Sequence, residues 1–387
     1  MKLVVGFMPL LDCASLIVAA ERGFAAEEGL DLRLVRETSW ANIRDRVIVG
    51  HFDAAHMLAP MAIASSLGIG HIKVPFIAPF SLGLGGNAIT VSLSLWEEMT
   101  RQGAVGGGFT PGLGAALKRV IAAREGAGSE PLTFGMVYPF SCHNYELRYW
   151  LAAAGIDPDR DVRLAVIPPP FLADALRTGQ IDGFCVGEPW NSVAVDAGVG
   201  AIVTPTTALW PLSPEKVLGC QAQWAERYSE QLAGLLRALY RAAAWTEAPK
   251  NHAEVAKLLA DPRYVGASAG LLHRALSGRL ALQPGADPTP LADFFVPASH
   301  QATFPWVSHA LWMYTQMVRW RQVEFSAEHE AAARRTYRPD LYRAALAHVA
   351  VDIPSVDLKI ERFFDGREFD PDNDFDPDNL GTRLERG

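Results

Sequence analysis

Short apolar runs and amphipathic stretches take turns along the first half of the chain. Residues 2–7, KLVVGF, are nearly all apolar and are soon followed by Pro9, which predicts a buried strand. Residues 14–29, ASLIVAAERGFAAEEG, space their apolar positions at helical intervals and stop at Gly29, so a helix is expected, followed by a strand over LDLRLV. Ser39 can cap a helix over WANIRDRVIVG that closes at Gly50, and FDAAH reads as the next strand. The same order returns mid-chain. LTFGMVYPF reads as a strand, NYELRYWLAAAG as a helix ending at Gly155, DVRLAVI as a strand, FLADALRTG as a helix ending at Gly179, and IDGFCVG as a strand.

Landmarks in the two series keep the same spacing. Gly6 to Cys13 and Gly135 to Cys142 both span seven positions, as do Asp53 to Pro60 and Asp182 to Pro189. Falling in the same order on matching elements, they predict two related α/β lobes, each Rossmann-like, with parallel sheets and helices on both faces. Ligands in such folds gather outside the carboxyl ends of the strands. Here those ends are the loops at 9–13, 38–40, 56–60, 139–143 and 187–190, which line one cleft if the lobes face each other. Pro60, Glu188, Pro189 and Trp190 are therefore cleft or hinge candidates. Residues 82–92, LGLGGNAITVS, predict a strand crossing between a first lobe of 1–85 plus 205–387 and a second of 86–204. Further on the pattern turns helical, with one long helix expected from Ala222 to Thr246. The acidic tail FFDGREFDPDNDFDPDN is expected to pack along one lobe. It is not an EF-hand, because a loop begun at Asp370 has Phe375 where glycine is required.

With 387 residues, 49% of them hydrophobic, the chain exceeds what a single core usually reaches. A net charge of −8 argues against direct nucleic-acid binding, since phosphates have to be met by surplus Lys and Arg. Cys13, Cys142, Cys185 and Cys220 stand far apart, so neither a disulfide framework nor a zinc pattern is written here. They read as small core residues suited to a reducing cytoplasm, and no metal or cofactor is called for. The opening MKLVVGFMPLLDC imitates a lipoprotein signal, yet Asp12 occupies the position before Cys13 where a small residue is needed, and KLVVGF corresponds to an internal strand of the repeat. No stretch approaches the roughly 18 apolar residues of a membrane helix. The Gly106–Gly108 run lacks the GK[ST] of a phosphate loop.

The strand-end loops carry the candidate chemistry. His143 directly precedes a predicted helix, where an imidazole and backbone N–H groups can meet an anion together. Trp40 offers a flat π face and one N–H donor, Asn87 an amide, and Lys216 a positive charge. Cys142 beside His143 is not a nucleophile and base pair, because adjacent side chains rarely face each other and no orienting carboxylate is evident; no catalytic residue is assigned.

The stretches TSWANIRDRVIVGHFDAAHMLAPMAIA, GNAITVS, RYWLAAAGIDP, GFCVGEPWN, LWPLSPEKVLG and FFDGREFDP resemble the nitrate- and bicarbonate-binding proteins of ABC importers and, more closely, the NasS-type nitrate/nitrite sensors. The resemblance implies a two-lobed periplasmic-binding-protein fold of type II, with two chain crossings and a small-oxyanion cleft. It implies pocket roles for Trp40, Asn87, His143, Gly187 and Lys216. The transport proteins have Gln where this chain has Asn87, a shorter reach. Bicarbonate-binding relatives carry an acidic residue in place of Lys216, so the lysine favours a free anion such as nitrate or nitrite. The resemblance further implies a cytoplasmic sensor that sequesters a NasT-like, ANTAR-type RNA-binding antiterminator until the ligand binds. The alternative is the substrate-binding protein of a nitrate importer, and a third reading is an enzyme acting on a small anion.

Overall fold

A computed structural model describes residues 1–70, 72–105 and 111–372; the Gly106–Gly108 run and the acidic tail from residue 373 onward lie outside the described residues. The apolar runs become strands β1 (Lys2–Phe7), β2 (Asp31–Arg36), β3 (Ala54–Leu58), β4 (Phe76–Ser81), β5 (Leu84–Gly85), β6 (Asn87–Ser92), β7 (Thr133–Met136), β8 (Arg163–Val166), β9 (Gly183–Gly187), β10 (Gly200–Pro205) and β11 (Lys216–Gln221). One sheet has the order β2-β1-β3-β11-β4 and the other β8-β7-β9-β6-β10. The two orders superimpose on each other, with β6 and β11 as equivalent crossing strands.

The repeat read from the spacing has an atomic counterpart. Asp53 accepts a hydrogen bond from the Val4 amide at 2.8 Å, and Asp182 accepts one from the Thr133 amide at 2.8 Å, in each case across 49 residues. The aspartate amides return the bond, to Val4 O at 2.8 Å and Thr133 O at 2.7 Å. Each carboxylate thus pins the first and third strands of its lobe. Asp182→Ala leaves the Thr133 amide without its charged acceptor and is expected to cost about 1–3 kcal/mol. An unaltered denaturation midpoint would rule that role out.

The sheets are less uniformly parallel than the alternating pattern predicts. β1 is parallel to β2 and β3, and β7 to β8 and β9, but β11 runs antiparallel to β3 and β4, and β6 antiparallel to β9 and β10. A strand that arrives from the other lobe has no helical crossover to turn it round, and a parallel neighbour needs one. The two crossings run side by side. Leu82 N–H donates to Lys216 O at 2.8 Å and Gly85 N–H to Ser213 O at 2.8 Å.

Two helices differ from expectation. The stretch 14–29 breaks at Gly23, whose φ of 80° ends α1 (Ala14–Glu21) before a single turn at Phe24–Glu27. The expected long helix breaks at Tyr228 into Ala222–Arg227 and Ser229–Glu247. Helices α2 (Trp40–Ile48), α3 (Ala59–Leu67), α4 (Cys142–Ala153) and α5 (Val307–Arg319) bear on the cleft or its surroundings. Ser39 caps α2 through the Asn42 amide, as the sequence predicts, and Ser141 caps α4 through the Asn144 amide at 3.1 Å. β1 is a core strand between β2 and β3, with Leu3 and Val5 fully buried, so these residues belong to the folded lobe. No described helix is long and apolar enough to cross a membrane.

The described part of the tail does not keep to one lobe. Glu361–Arg362 and Glu368–Phe369 form a hairpin whose Phe363 ring lies 5.2 Å from Tyr149 on α4, 5.1 Å from Trp210 and 5.7 Å from Trp312 on α5. Tyr149 donates to Asp365 at 3.0 Å, and Trp210 Nε1 donates to Glu361 at 3.1 Å. The aromatic residues of this short segment bury better against both lobes than against either one.

Candidate functional site

The antiparallel entry of β6 and β11 is what builds the site. Because they run against β9 and β3, their first residues lie beside the carboxyl ends of those strands: Asn87 pairs with Gly187 and Lys216 with Leu58. Asn87 and Lys216 are therefore delivered to the edge where the strand-end loops gather, and both are fully buried.

Lys216 is the hub. Its ammonium lies 2.8 Å from Asp12 Oδ2 and 3.3 Å from His143 Nε2, and it donates to Glu215. Three partners use all three of its N–H bonds. Burial works against its charge, but Asp12 and Glu215 outweigh that and hold it protonated. Burial likewise pushes Asp12 up, while Lys216 and His56 more than offset it and keep the carboxyl well below the usual range. The sequence reads Lys216 as a positive charge at the cleft; the structure shares that charge between two carboxyls.

The hydrogen bonds fix both histidine tautomers. Met8 N–H donates to His56 Nδ1 at 3.3 Å, so the His56 proton is on Nε2, facing Asp12 Oδ1 at 2.9 Å. His143 Nε2 receives from the ammonium, so its proton is on Nδ1, a buried donor with no protein partner. Burial, followed by the Lys216 charge, pushes His143 well below its ordinary value, and burial lowers His56 too, so both rings are neutral at physiological pH.

Trp40, the first residue of α2, joins through the His56 ring at 5.6 Å, and its indole N–H is also buried without a partner. Asn87 Nδ2 donates to Glu146 Oε2 at 3.0 Å, which leaves Asn87 Oδ1 unpartnered. A Cβ on Gly187 would lie 3.2 Å from Asn87 Oδ1 and 3.7 Å from Lys216 Nζ, so glycine lets the strand end sit against the cluster. The structure thus brings Trp40, Asn87, His143, Gly187 and Lys216 into one contiguous polar group. The sequence reading missed Asp12, His56, Glu146 and Glu215.

Pro60, Glu188, Pro189 and Trp190 lie around this group rather than within it. Pro60 is in the first turn of α3. Trp190 Nε1 donates to Pro9 O at 2.9 Å, and Leu11 N–H donates to Glu188 O at 2.7 Å, tying the end of β9 to the loop after β1. With Arg44 donating to Tyr138 at 2.6 Å and the His143–Lys216 contact, these bonds hold the lobes closed on each other. Burial and then Glu215 push the Cys142 thiol well above its ordinary value, which removes a thiolate nucleophile. Among the described residues no group of three or more His, Cys, Asp or Glu is arranged to hold a metal ion.

Two α/β lobes linked by paired crossings, closing on a buried polar cluster at their strand ends, define the two-lobed type II fold of periplasmic binding proteins. The model of the NMT1-like family matches residues 1–260, and the chain belongs to that family, among its nitrate/bicarbonate substrate-binding proteins. It is 33% identical over 95% of its length to the nitrate/nitrite binding protein NrtA of Synechococcus elongatus, covering 83% of that protein. It is 35% identical over 96% of its length to the nitrate import ATP-binding protein NrtC of Synechocystis, but spans only 54% of that relative. The crystal structure of the periplasmic nitrate-binding protein NrtA from Synechocystis matches with a TM-score of 0.89 at 28% identity, covering 100% of this chain and 98% of that one.

Proposed function

We propose that this protein binds nitrate or nitrite between its lobes, without turnover, as the substrate-binding component of an ABC-type importer. The observation that carries the reading is the pair of buried, unpartnered N–H donors, His143 Nδ1 and Trp40 Nε1, in the cluster centred on the Lys216 ammonium. A planar, weakly hydrated anion suits such a site, where an indole, an imidazole N–H and one cation replace its water. The named nitrate-binding relatives support the same ligand.

Calorimetry with nitrate, nitrite and bicarbonate tests it. His143→Ala is expected to weaken nitrate binding by about 1–3 kcal/mol, the scale of one charge-assisted or buried hydrogen bond. An unchanged dissociation constant removes His143 from the site, and no binding of nitrate or nitrite by the wild type removes the proposal. A finer reading is a cytoplasmic sensor that holds a NasT-like antiterminator until the anion binds, and it rests on the resemblance to the NasS-type sensors alone. It requires a complex with that RNA-binding protein that dissociates on adding nitrate. A complex indifferent to nitrate, or none, leaves the importer role.

A further inference from the structure

We propose that Glu146 carries a proton that the bound anion requires, so that nitrate or nitrite binds only the form of this cleft in which Glu146 is protonated. The inference rests on the anion-binding reading above and adds to it a residue that sets affinity.

Charge balance comes first. The cluster holds three carboxyls, Asp12, Glu146 and Glu215, against a single obligate cation, Lys216, because both histidine tautomers are the neutral ones. With every carboxyl ionised, the cluster would already be anionic before a ligand arrived, in surroundings that screen poorly. Asp12 is the carboxyl best matched to its donors, Lys216 and His56. Glu215 shares the ammonium. Glu146 has no cation in contact.

Its geometry then locates the proton. Glu146 is on α4, three residues after His143 and therefore on the same helical face. Its Oε2 accepts from Asn87, while its Oε1 is buried with no hydrogen-bond partner among the described residues. An ionised oxygen so placed is costly, whereas a protonated one becomes an O–H donor for which an anion is a fitting acceptor. The groups facing it come from each surrounding element: Asn87 on β6, Ser213, Glu215 and Lys216 on the second crossing, Cys142 on its own helix and Cys185 on β9. Both thiols are held protonated by burial and by these glutamates, and Tyr337, near Glu215, is likewise pushed up by burial. Burial, with Glu215 as a like-charged neighbour, moves Glu146 up to about 8, while Asn87 and Ser213 pull the other way.

The sign follows from linkage. If the bound form keeps the proton, binding above the free-state value must recruit one from solvent, so affinity is flat at lower pH and falls by about tenfold per pH unit beyond it. Titrating the wild-type chain with sodium nitrate at about pH 6 and about pH 9, in two buffers of different ionisation enthalpy, counts the protons directly. Uptake close to one proton per anion at the alkaline pH, with little at the acid pH, is the expected result. In Glu146→Gln, whose amide cannot titrate, the alkaline loss of affinity is expected to disappear. Nitrate binding with no pH dependence and no proton uptake overturns the proposal but leaves the anion site standing. So does an alkaline loss that persists undiminished in Glu146→Gln, which assigns the proton elsewhere. Absence of nitrate and nitrite binding at every pH is the separate failure, that of the functional reading itself.

Discussion

Lys216→Ala is expected to abolish nitrate binding and to destabilise the fold by about 3–5 kcal/mol, the cost of removing one partner from a buried ion pair. The ammonium is fully buried and all its hydrogen bonds go to Asp12, Glu215 and His143. Truncation strands two buried carboxyls and removes the positive charge that an anion would seek. The pH dependence distinguishes this from a general packing defect. In the wild type, burial raises Asp12 but Lys216 and His56 depress it further, so its contribution to stability is present above the unfolded carboxylate value and lost as pH falls through the folded one. Without the lysine Asp12 is raised instead and Glu215, already raised by burial, rises further, so the variant regains stability on acidification. Urea unfolding at about pH 5 and about pH 8 should therefore show the larger deficit at the higher pH. Equal deficits, or nitrate bound as tightly as by the wild type, would show that the ammonium is not the charge that matters.

Gly85→Ala is expected to cost about 2–4 kcal/mol, combining a left-handed backbone conformation with overpacking. Gly85 has φ +69°, and a Cβ there would run into the Phe294 carbonyl oxygen and lie 3.0 Å from Thr207 Cγ2. Its amide also bonds Ser213 O on the other crossing, so the neighbouring chain cannot retreat without breaking the ribbon between the lobes. A denaturation midpoint equal to that of the wild type would mean that the Phe295–Val296 strand, which pairs with β5, shifts freely.

Why some of this was readable in the sequence and some was not follows from the kind of signal each residue leaves. Asp53 and Asp182 mark the repeat because the same pinning role recurs at the same place in each lobe. Trp40 and His143 stand out as aromatic or polar residues next to predicted strand ends and helix starts, where ligand chemistry collects, and Lys216 through the resemblance of LWPLSPEKVLG. Asp12 falls in the strand-end loop at 9–13 without standing out there, and Glu146 and Glu215 leave no such mark. Glu215 reads as the solvated half of an Glu-Lys pair in SPEK, and Glu146 as one polar position in a helix whose other residues at 145, 147, 149 and 150 are buried apolar or aromatic. His56, inside AAHML, looks like a core histidine. The one usable hint was the three-residue step from His143 to Glu146, which puts both on one face of α4. The direction of β6 and β11 was hidden for another reason: periodicity reports that a segment is a strand and is silent about which way its neighbours run.

The hairpin that packs Phe363 against both Tyr149 and Trp312 has a consequence for motion. One ring cannot follow two bodies as they part, so gaping of the cleft must peel it from one of them. The same helix that carries His143 at its start carries Tyr149 nearly two turns later, which would couple separation of these rings to opening of the proposed anion site. The indoles of Trp210 and Trp312 change surroundings in that event, giving the protein an intrinsic fluorescent gauge of how far its jaws are apart.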